Sequence, residues 1–216
     1  MKEALIVCFT GMDGTGKTTL AKSLEKSIKN SGILCKYIWG GWRGFESFLF
    51  SPIAKIIRNS RESKGGARMR GASIQNNLLF TYAAWLDYFL RIFPNLLISL
   101  YKYDLIILDR YIYDVAIGFS INTDREGKGL LRRFFYIFPK PDITFLIDVP
   151  EEVAYARKED IPSVEYLHEK RKMYKKIGQE FEMVILDGTN TIEKLNEKVE
   201  KEVVKLQITK RGVLNE

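Results

Sequence analysis

Gly11-Met12-Asp13-Gly14-Thr15-Gly16-Lys17-Thr18 matches G-x-x-x-x-G-K-[S/T] at every fixed position. Glycines at this spacing let the backbone wrap closely around phosphate oxygens, which a Cβ would obstruct. Successive N–H groups then converge at a helix N-terminus, where the partial positive charge favours anions. In such a loop Lys17 reaches β- and γ-phosphates and the Thr18 hydroxyl ligates Mg²⁺, so the implied ligand is a nucleoside triphosphate. A second constellation, Asp109-Arg110, closes the apolar run Leu105-Ile106-Ile107-Leu108. A nucleic-acid motor would place a water-polarising glutamate after that aspartate. An arginine there suits holding a second phosphate, since guanidinium forms paired bonds to phosphate oxygens. The structural alternative is an Asp–Arg pair that only locks a strand end. No N-K-x-D is present, which excludes the guanine-reading GTPases.

These groups need elements to hold them. The run Leu5–Phe9 before the glycine loop predicts a strand over 4–10. Leu20, Leu24 and Ile28 have helical spacing and predict a helix over 17–30, closed by Gly32. Further strands are expected at 33–39, 104–109, 142–149 and 183–187. Helices are expected at 46–59, 73–93 (with a kinked continuation after Pro94), 150–157, 163–180 and 191–206. Residues 60–72, rich in Arg, Gly and Ser, are expected to form a mobile loop. Strands alternating with helices imply an α/β domain with a parallel sheet covered on both faces. Ligands in such folds bind beyond the carboxyl ends of the strands, where the glycine loop lies.

The 216 residues suit a single domain, and 46% hydrophobic composition argues against general disorder. The N-terminus has no signal-peptide pattern. The apolar stretch 78–100 carries Asp87, Arg91 and Pro94, which marks it as a core helix, not a membrane span. Cys8 and Cys35 lack C-x-x-C spacing and are expected as buried thiols in a reducing cytosol. The net charge of +7 fits either a nucleic-acid surface or a site for small polyanions. One basic cluster is Arg58, Arg61, Lys64, Arg68 and Arg70. A second, Lys170, Arg171, Lys172, Lys175 and Lys176, alternates with Glu165 and Glu169 and reads as a solvated helix face. His168 lies on that charged helix without partners at ligand spacing and is expected at the surface. Trp39, Trp42 and Trp85 could stack on a base or pack, with Trp42 the better placed for a ligand.

With these residues in hand, the chain resembles the thymidylate kinases within the nucleoside monophosphate kinase group. The glycine loop with Asp13 and the segment Asp109-Arg110-Tyr111 resemble the family's P-loop and D-R-Y/H motif. Pro141-Asp142-Ile143-Thr144, continuing to Asp148-Val149-Pro150-Glu151-Glu152-Val153, resembles its P-D-L-T-x-x-L-D-V-P-P-E-V segment. Arg171-x-x-Tyr174 and Asp187-Gly188-Thr189 resemble its closing helix and last strand. The resemblance implies the P-loop NTPase fold: a five-stranded parallel sheet in a three-layer α/β/α domain, with a short lid at 157–163. It implies that Gly11 to Thr19 bind ATP, with Lys17, Thr18 and Thr19 on the phosphates and metal. It implies that Arg43 and Arg110 grip the acceptor phosphate, that Asp13 and Asp109 lie near the metal or acceptor, and that Phe80 stacks on the acceptor base. Because position 14 is glycine and not basic, it further implies a transition-state cation from the lid, Arg157 with Lys158.

The departures are specific. Trp42-Arg43-Gly44 stands where the family has R-E-P-G. Ala84 or Trp85 stands where it has the thymine-reading arginine. Asp114, Val115, Gly118 and Phe119 replace its Ser/Thr, Tyr and Gln positions. The expected reaction is Mg²⁺-dependent phosphorylation of a (deoxy)nucleoside monophosphate by ATP, with dTMP giving dTDP. The protein is expected to be cytoplasmic and homodimeric, acting on small nucleotides without nucleic acid or membrane. Two rivals stay open: another acceptor, including a nucleoside that would recruit Asp13 or Asp114 as base, and an ATP-dependent nucleic-acid-binding protein.

Overall fold

The computed structural model describes residues 4–42, 78–120, 135–158 and 161–213. In chain order the first half runs β1 (Leu5–Thr10), α1 (Lys17–Asn30), β2 (Cys35–Trp39), α2 (Leu78–Lys102) and β3 (Leu105–Asp109). The second half runs α3 (Ile112–Ser120), β4 (Ile143–Asp148), α4 (Glu151–Ala156), α5 (Val164–Glu180), β5 (Val184–Asp187) and α6 (Ile192–Val213). The strands form one parallel sheet in the order β2-β3-β1-β4-β5. This is the five-stranded α/β architecture expected from the alternation of elements.

The register sorts side chains to two faces. From β1, Leu5, Val7 and Phe9 pack with Leu20 and Leu24 of α1 and with Val199 and Val203 of α6. Ile6 and Cys8 point the other way, into a core with Trp85, Tyr88 and Ile92 of α2, Val115 of α3, and Leu167 and Tyr174 of α5. Both faces of β1 and β3 are buried, which is why their sequences are unbroken apolar runs. The strand order in the sheet places β1 between β3 and β4. The chain therefore reverses direction around it, and a crevice opens beyond its carboxyl end.

Several boundaries differ from the sequence expectation. Strand β2 begins at Cys35, not at 33. Gly32 takes φ 75, and the N–H of Ile33 still bonds to Ile28 O at 3.4 Å, so the helix-closing motif consumes those residues. Helix α2 runs through Pro94 to Lys102, with Ile92 and Leu96 buried on either side of the proline. Helix α3 was not expected. Its successive apolar residues Val115, Ala116 and Ile117 are all buried, and a helix enclosed on several sides loses the one-faced spacing that signals it. Helix α6 extends to Val213 instead of ending at 206.

Arg43, the expected helix 46–59, the loop 60–72 and the Arg58–Arg70 cluster lie outside the described residues. Phe80 lies in the first turn of α2, and its side chain is likewise outside them. Cys8 and Cys35 are buried thiols. Among the described residues no helix is long and apolar enough to cross a membrane.

Candidate active site

The chemistry-bearing residues converge beyond the carboxyl ends of β1, β2 and β3. The loop after β1 can follow its course only as glycine. Gly11 has φ 142, and a Cβ there would lie 2.6 Å from Ile147 O. Gly14 has φ 82, and its Cβ would meet Ala154 O at 2.5 Å. The turn delivers Lys17 to the start of α1, where it is 3% exposed. Its ammonium donates to Met12 O and, at 3.3 Å, to Thr15 Oγ1. Burial, and next the nearby Arg110 charge, push it down to about 7. A buried amine held down in this way, despite the Asp114, Asp13 and Asp109 charges, would gain its proton more readily beside a polyphosphate.

Beside it, Thr18 Oγ1 donates to Asp109 Oδ2 at 2.6 Å, and the Tyr37 hydroxyl donates to the same oxygen at 2.6 Å. The other carboxylate oxygen of Asp109 is buried and has no hydrogen-bond partner among the described residues. An orphaned carboxylate oxygen next to a threonine hydroxyl fits Mg²⁺, a hard cation that takes oxygen ligands. Among the described residues no cluster of three or more His, Cys, Asp or Glu could cage a metal.

Arg110 follows immediately and adopts φ 69, a left-handed conformation rare for a non-glycine residue. Strain of this kind persists where surrounding structure imposes it, and here the Arg110 N–H is tied to Phe9 O at 2.9 Å. The sharp turn aims the guanidinium back over the glycine loop. Its NH2 donates to Asp13 Oδ1 at 2.7 Å, and its NH1 lies 3.6 Å from Asp114 Oδ1. The second Asp13 oxygen accepts from Lys170 Nζ at 2.8 Å. Burial alone would raise the Asp13 carboxyl, but the Lys170 and Arg110 charges hold it well below the usual carboxylate range. Asp114 is also fully engaged. It accepts from Thr10 Oγ1 (2.9 Å), the Tyr111 N–H (3.1 Å) and the Tyr174 hydroxyl (2.9 Å).

These groups border a cavity of about 520 Å³, within the size range of small-molecule sites. Lys17, Thr18, Trp42, Arg110, Asp114 and Lys170 are among its lining residues. The structure thus brings together Asp13, Gly14, Gly16, Lys17, Thr18, Thr19 and Arg110, with Asp109 just behind Thr18. Arg157 is placed elsewhere: its NH1 lies 3.5 Å from Gly188 O and it does not border the cavity, whereas neighbouring Lys158 does. Ala84 and Trp85 are both fully buried and absent from the cavity wall, so neither offers a polar group there. Trp42 does line it, with its Nε1 donating to Asp87 Oδ2 at 3.2 Å.

One expectation fails for a physical reason. The run from Lys170 to Lys176 is not a uniformly solvated face, because Lys170 is only 9% exposed. It shares the buried stripe of α5 with Leu167, Tyr174 and Gly178. A lysine on the apolar stripe of an amphipathic helix is the sequence signal that could have found it. His168 behaves as expected, with a side chain 54% exposed, although its Nδ1 lies 2.7 Å from Glu151 Oε1.

Comparison with known proteins agrees with this geometry. The family model described as thymidylate kinase matches residues 9–199. A protein named probable thymidylate kinase from Sulfurisphaera tokodaii is 28% identical over 89% of this chain and 92% of its own length. One of the same name from Metallosphaera sedula is 29% identical over 88% and 87%. A thymidylate kinase from Plasmodium falciparum is 25% identical over 96% and 93%.

Proposed function

The chain belongs to the thymidylate kinase family, enzymes that phosphorylate a nucleoside monophosphate, and from that premise we propose that it transfers the γ-phosphoryl group of ATP to dTMP, yielding ADP and dTDP. The observation that carries this reading is the pair of separate cationic grips on one cavity, Lys17 in the glycine loop and Arg110 beyond β3. Two nucleotides repel each other through their phosphates, and these cations offset the repulsion. The acceptor phosphate oxygen is already ionised near neutral pH, so no strong base is needed. Catalysis reduces to positioning and charge neutralisation, of which positioning contributes on the order of 7–11 kcal/mol.

In this scheme Lys17 and the loop N–H groups bind the donor's phosphates. Thr18 and Asp109 would hold Mg²⁺, which would supply neutralisation of phosphate charge. Arg110, with Arg43, orients the acceptor phosphate in line with the donor, and Phe80 stacks on the acceptor base. Lys158 and Arg157 belong to the lid that closes over the site and excludes water. Asp13, bound to two cations, and Asp114, accepting from three donors, are both committed, so neither has the character of a free base for a nucleoside hydroxyl. A phosphate acceptor is favoured on that ground. The enzyme acts in the cytoplasm as a homodimer, with the exposed apolar residues Tyr82, Leu86, Ile98 and Tyr101 of α2 forming the contact.

The deciding experiment is an acceptor panel of nucleosides and nucleoside monophosphates with ATP and Mg²⁺, resolved by product identity. We expect dTDP as the main product and no product after chelation of the metal. Phosphorylation of free nucleosides in preference to every monophosphate would overturn the assignment.

A further inference from the structure

The lysine that α5 sends into the cavity has no part in the scheme above. Lys170 arrives from a helix remote in sequence and meets the glycine loop at Asp13. An ammonium has three donors. Asp13 Oδ2 takes one and Tyr166, whose ring lies 4.8 Å away, engages a second, which leaves one for a ligand. The group borders the same cavity as Lys17 and Arg110. Burial would lower its affinity for a proton, but Asp13 raises it above the ordinary value, so the site holds a full positive charge.

Two further observations concern what else could supply charge on this side. Residue 14 is glycine, so the loop itself contributes no cation before Lys17. Arg157 lies against Gly188 O instead of the cavity, so Lys158 is the one cation that segment 157–158 brings to the cavity wall. We propose that Lys170 is a phosphate-contacting residue, a fixed cation that donates to a phosphate oxygen of the bound polyphosphate while Asp13 holds it in place.

The proposal deepens the kinase reading and rests on it for the identity of the ligand, though not for its chemistry. Lys170 differs from a lid cation in being pre-placed. Leu167 and Tyr174, buried on the same helix stripe, fix the backbone from which it projects. Its side chain is only 11% exposed, so little conformational freedom is lost when a ligand arrives. Asp13 then has a defined use as the strut that holds Lys170 on one carboxylate oxygen and Arg110 on the other.

The test uses the full-length protein and inorganic tripolyphosphate as probe, with binding measured by calorimetry and turnover measured separately with ATP and dTMP. For Lys170→Ala we expect about a tenfold loss of tripolyphosphate affinity and about a hundredfold loss of kcat. Lys170→Arg should restore most of both. Lys172→Ala, which removes an exposed lysine paired with Glu169 on the same helix, should change neither by more than about twofold.

Asp13→Asn separates direct contact from an effect passed through the carboxylate. Lys170→Ala made in that background should still weaken tripolyphosphate binding. If it has no effect there, or if the single variant keeps wild-type affinity, Lys170 is a structural ion pair and the proposal is overturned. Circular dichroism and melting curves confirm that each variant is folded at the assay temperature, and Lys170→Arg supplies the comparison if Lys170→Ala is not. Should the wild type bind tripolyphosphate through Lys170 yet phosphorylate no monophosphate, the phosphate contact stands and the kinase reading fails.

Discussion

Lys170 and Arg171 are neighbours on α5, carry the same charge, and enter ion networks with different consequences. Lys170 meets Asp13, which also holds Arg110, and the three groups open on the cavity. Arg171 turns to the carboxyl end of β4. Its Nε and NH2 donate to the two oxygens of Asp148 at 2.6 and 2.9 Å, and its NH1 donates to Glu151 Oε2 at 2.7 Å. That network ties α5 to the end of β4 and the start of α4. A guanidinium whose fork is filled by two carboxylates has little left to offer a ligand, whereas an ammonium held by Asp13 and Tyr166 keeps a third donor in hand. Charge alone therefore does not mark a binding residue; what matters is the donor capacity left after folding and the space it faces.

The comparison is broken most decisively at Arg110. Arg110→Ala should lower kcat/KM by about 10³-fold, consistent with losing a preorganised charged contact to the reacting phosphate. The melting temperature should move little, because without the guanidinium Asp13 keeps Lys170 and Asp114 keeps its three donors. Near-wild-type turnover in the purified variant would remove Arg110 from the acceptor grip. Arg171→Ala should do the reverse. Removing it leaves Asp148 and Glu151 partly buried without their shared partner, at a cost of about 1–3 kcal/mol measured by urea unfolding. Turnover per folded molecule should stay within about threefold, as expected of a surface-side change that leaves the cavity intact. A large loss of kcat at unchanged stability would merge the two networks into one functional unit.

How much of this was readable in the sequence divides along the same line. The glycine loop and Asp109-Arg110 were legible because local spacing fixes their chemistry: glycines where φ is positive, an apolar run, then charge at its end. Strands β1, β3 and β4 were legible because buried parallel strands are continuous apolar segments, and the partly buried edge strands β2 and β5 because they are short apolar or aromatic runs. Lys170 and Asp114 were not. Each gains its role from partners far along the chain, Asp13 for one and Thr10 and Tyr174 for the other, and local composition does not encode such partners. The charged neighbourhood of Lys170 also points the wrong way, since the residues around it are solvated. Helix α3 escaped notice for a related reason: enclosure on several sides erased the polar face that would have shown its period.

A smaller effect separates the two networks by pH. The Glu151 carboxyl would be raised by burial, but its hydrogen bonds, first from His168 and then from Arg171, bring it down to about 2 from an ordinary 4.5. Between those values the unfolded chain binds the proton that the folded chain refuses. The stabilisation is therefore complete above about 4.5 and is lost as pH falls towards 2. Urea unfolding of the wild type and Glu151→Gln across this window should show the gap between them closing as the solution becomes more acidic. A gap independent of pH would mean that Glu151 stabilises the fold by packing and not by charge.

The least effect is expected at His168, and it tests whether contact with a network confers membership in it. The imidazole is 2.7 Å from Glu151 Oε1, yet its side chain is 54% exposed. Water competes for that bond, and the side chain gives up rotamer freedom to make it, so exposed pairs of this sort contribute little. His168→Ala should therefore change stability by less than about 0.5 kcal/mol and leave turnover unchanged, since Arg171 alone can keep Glu151 in place through Oε2. If His168→Ala instead matched Arg171→Ala in unfolding free energy, the guanidinium would not be the organising group, and the contrast between a filled fork and a spare ammonium would no longer explain why neighbouring cations on α5 differ.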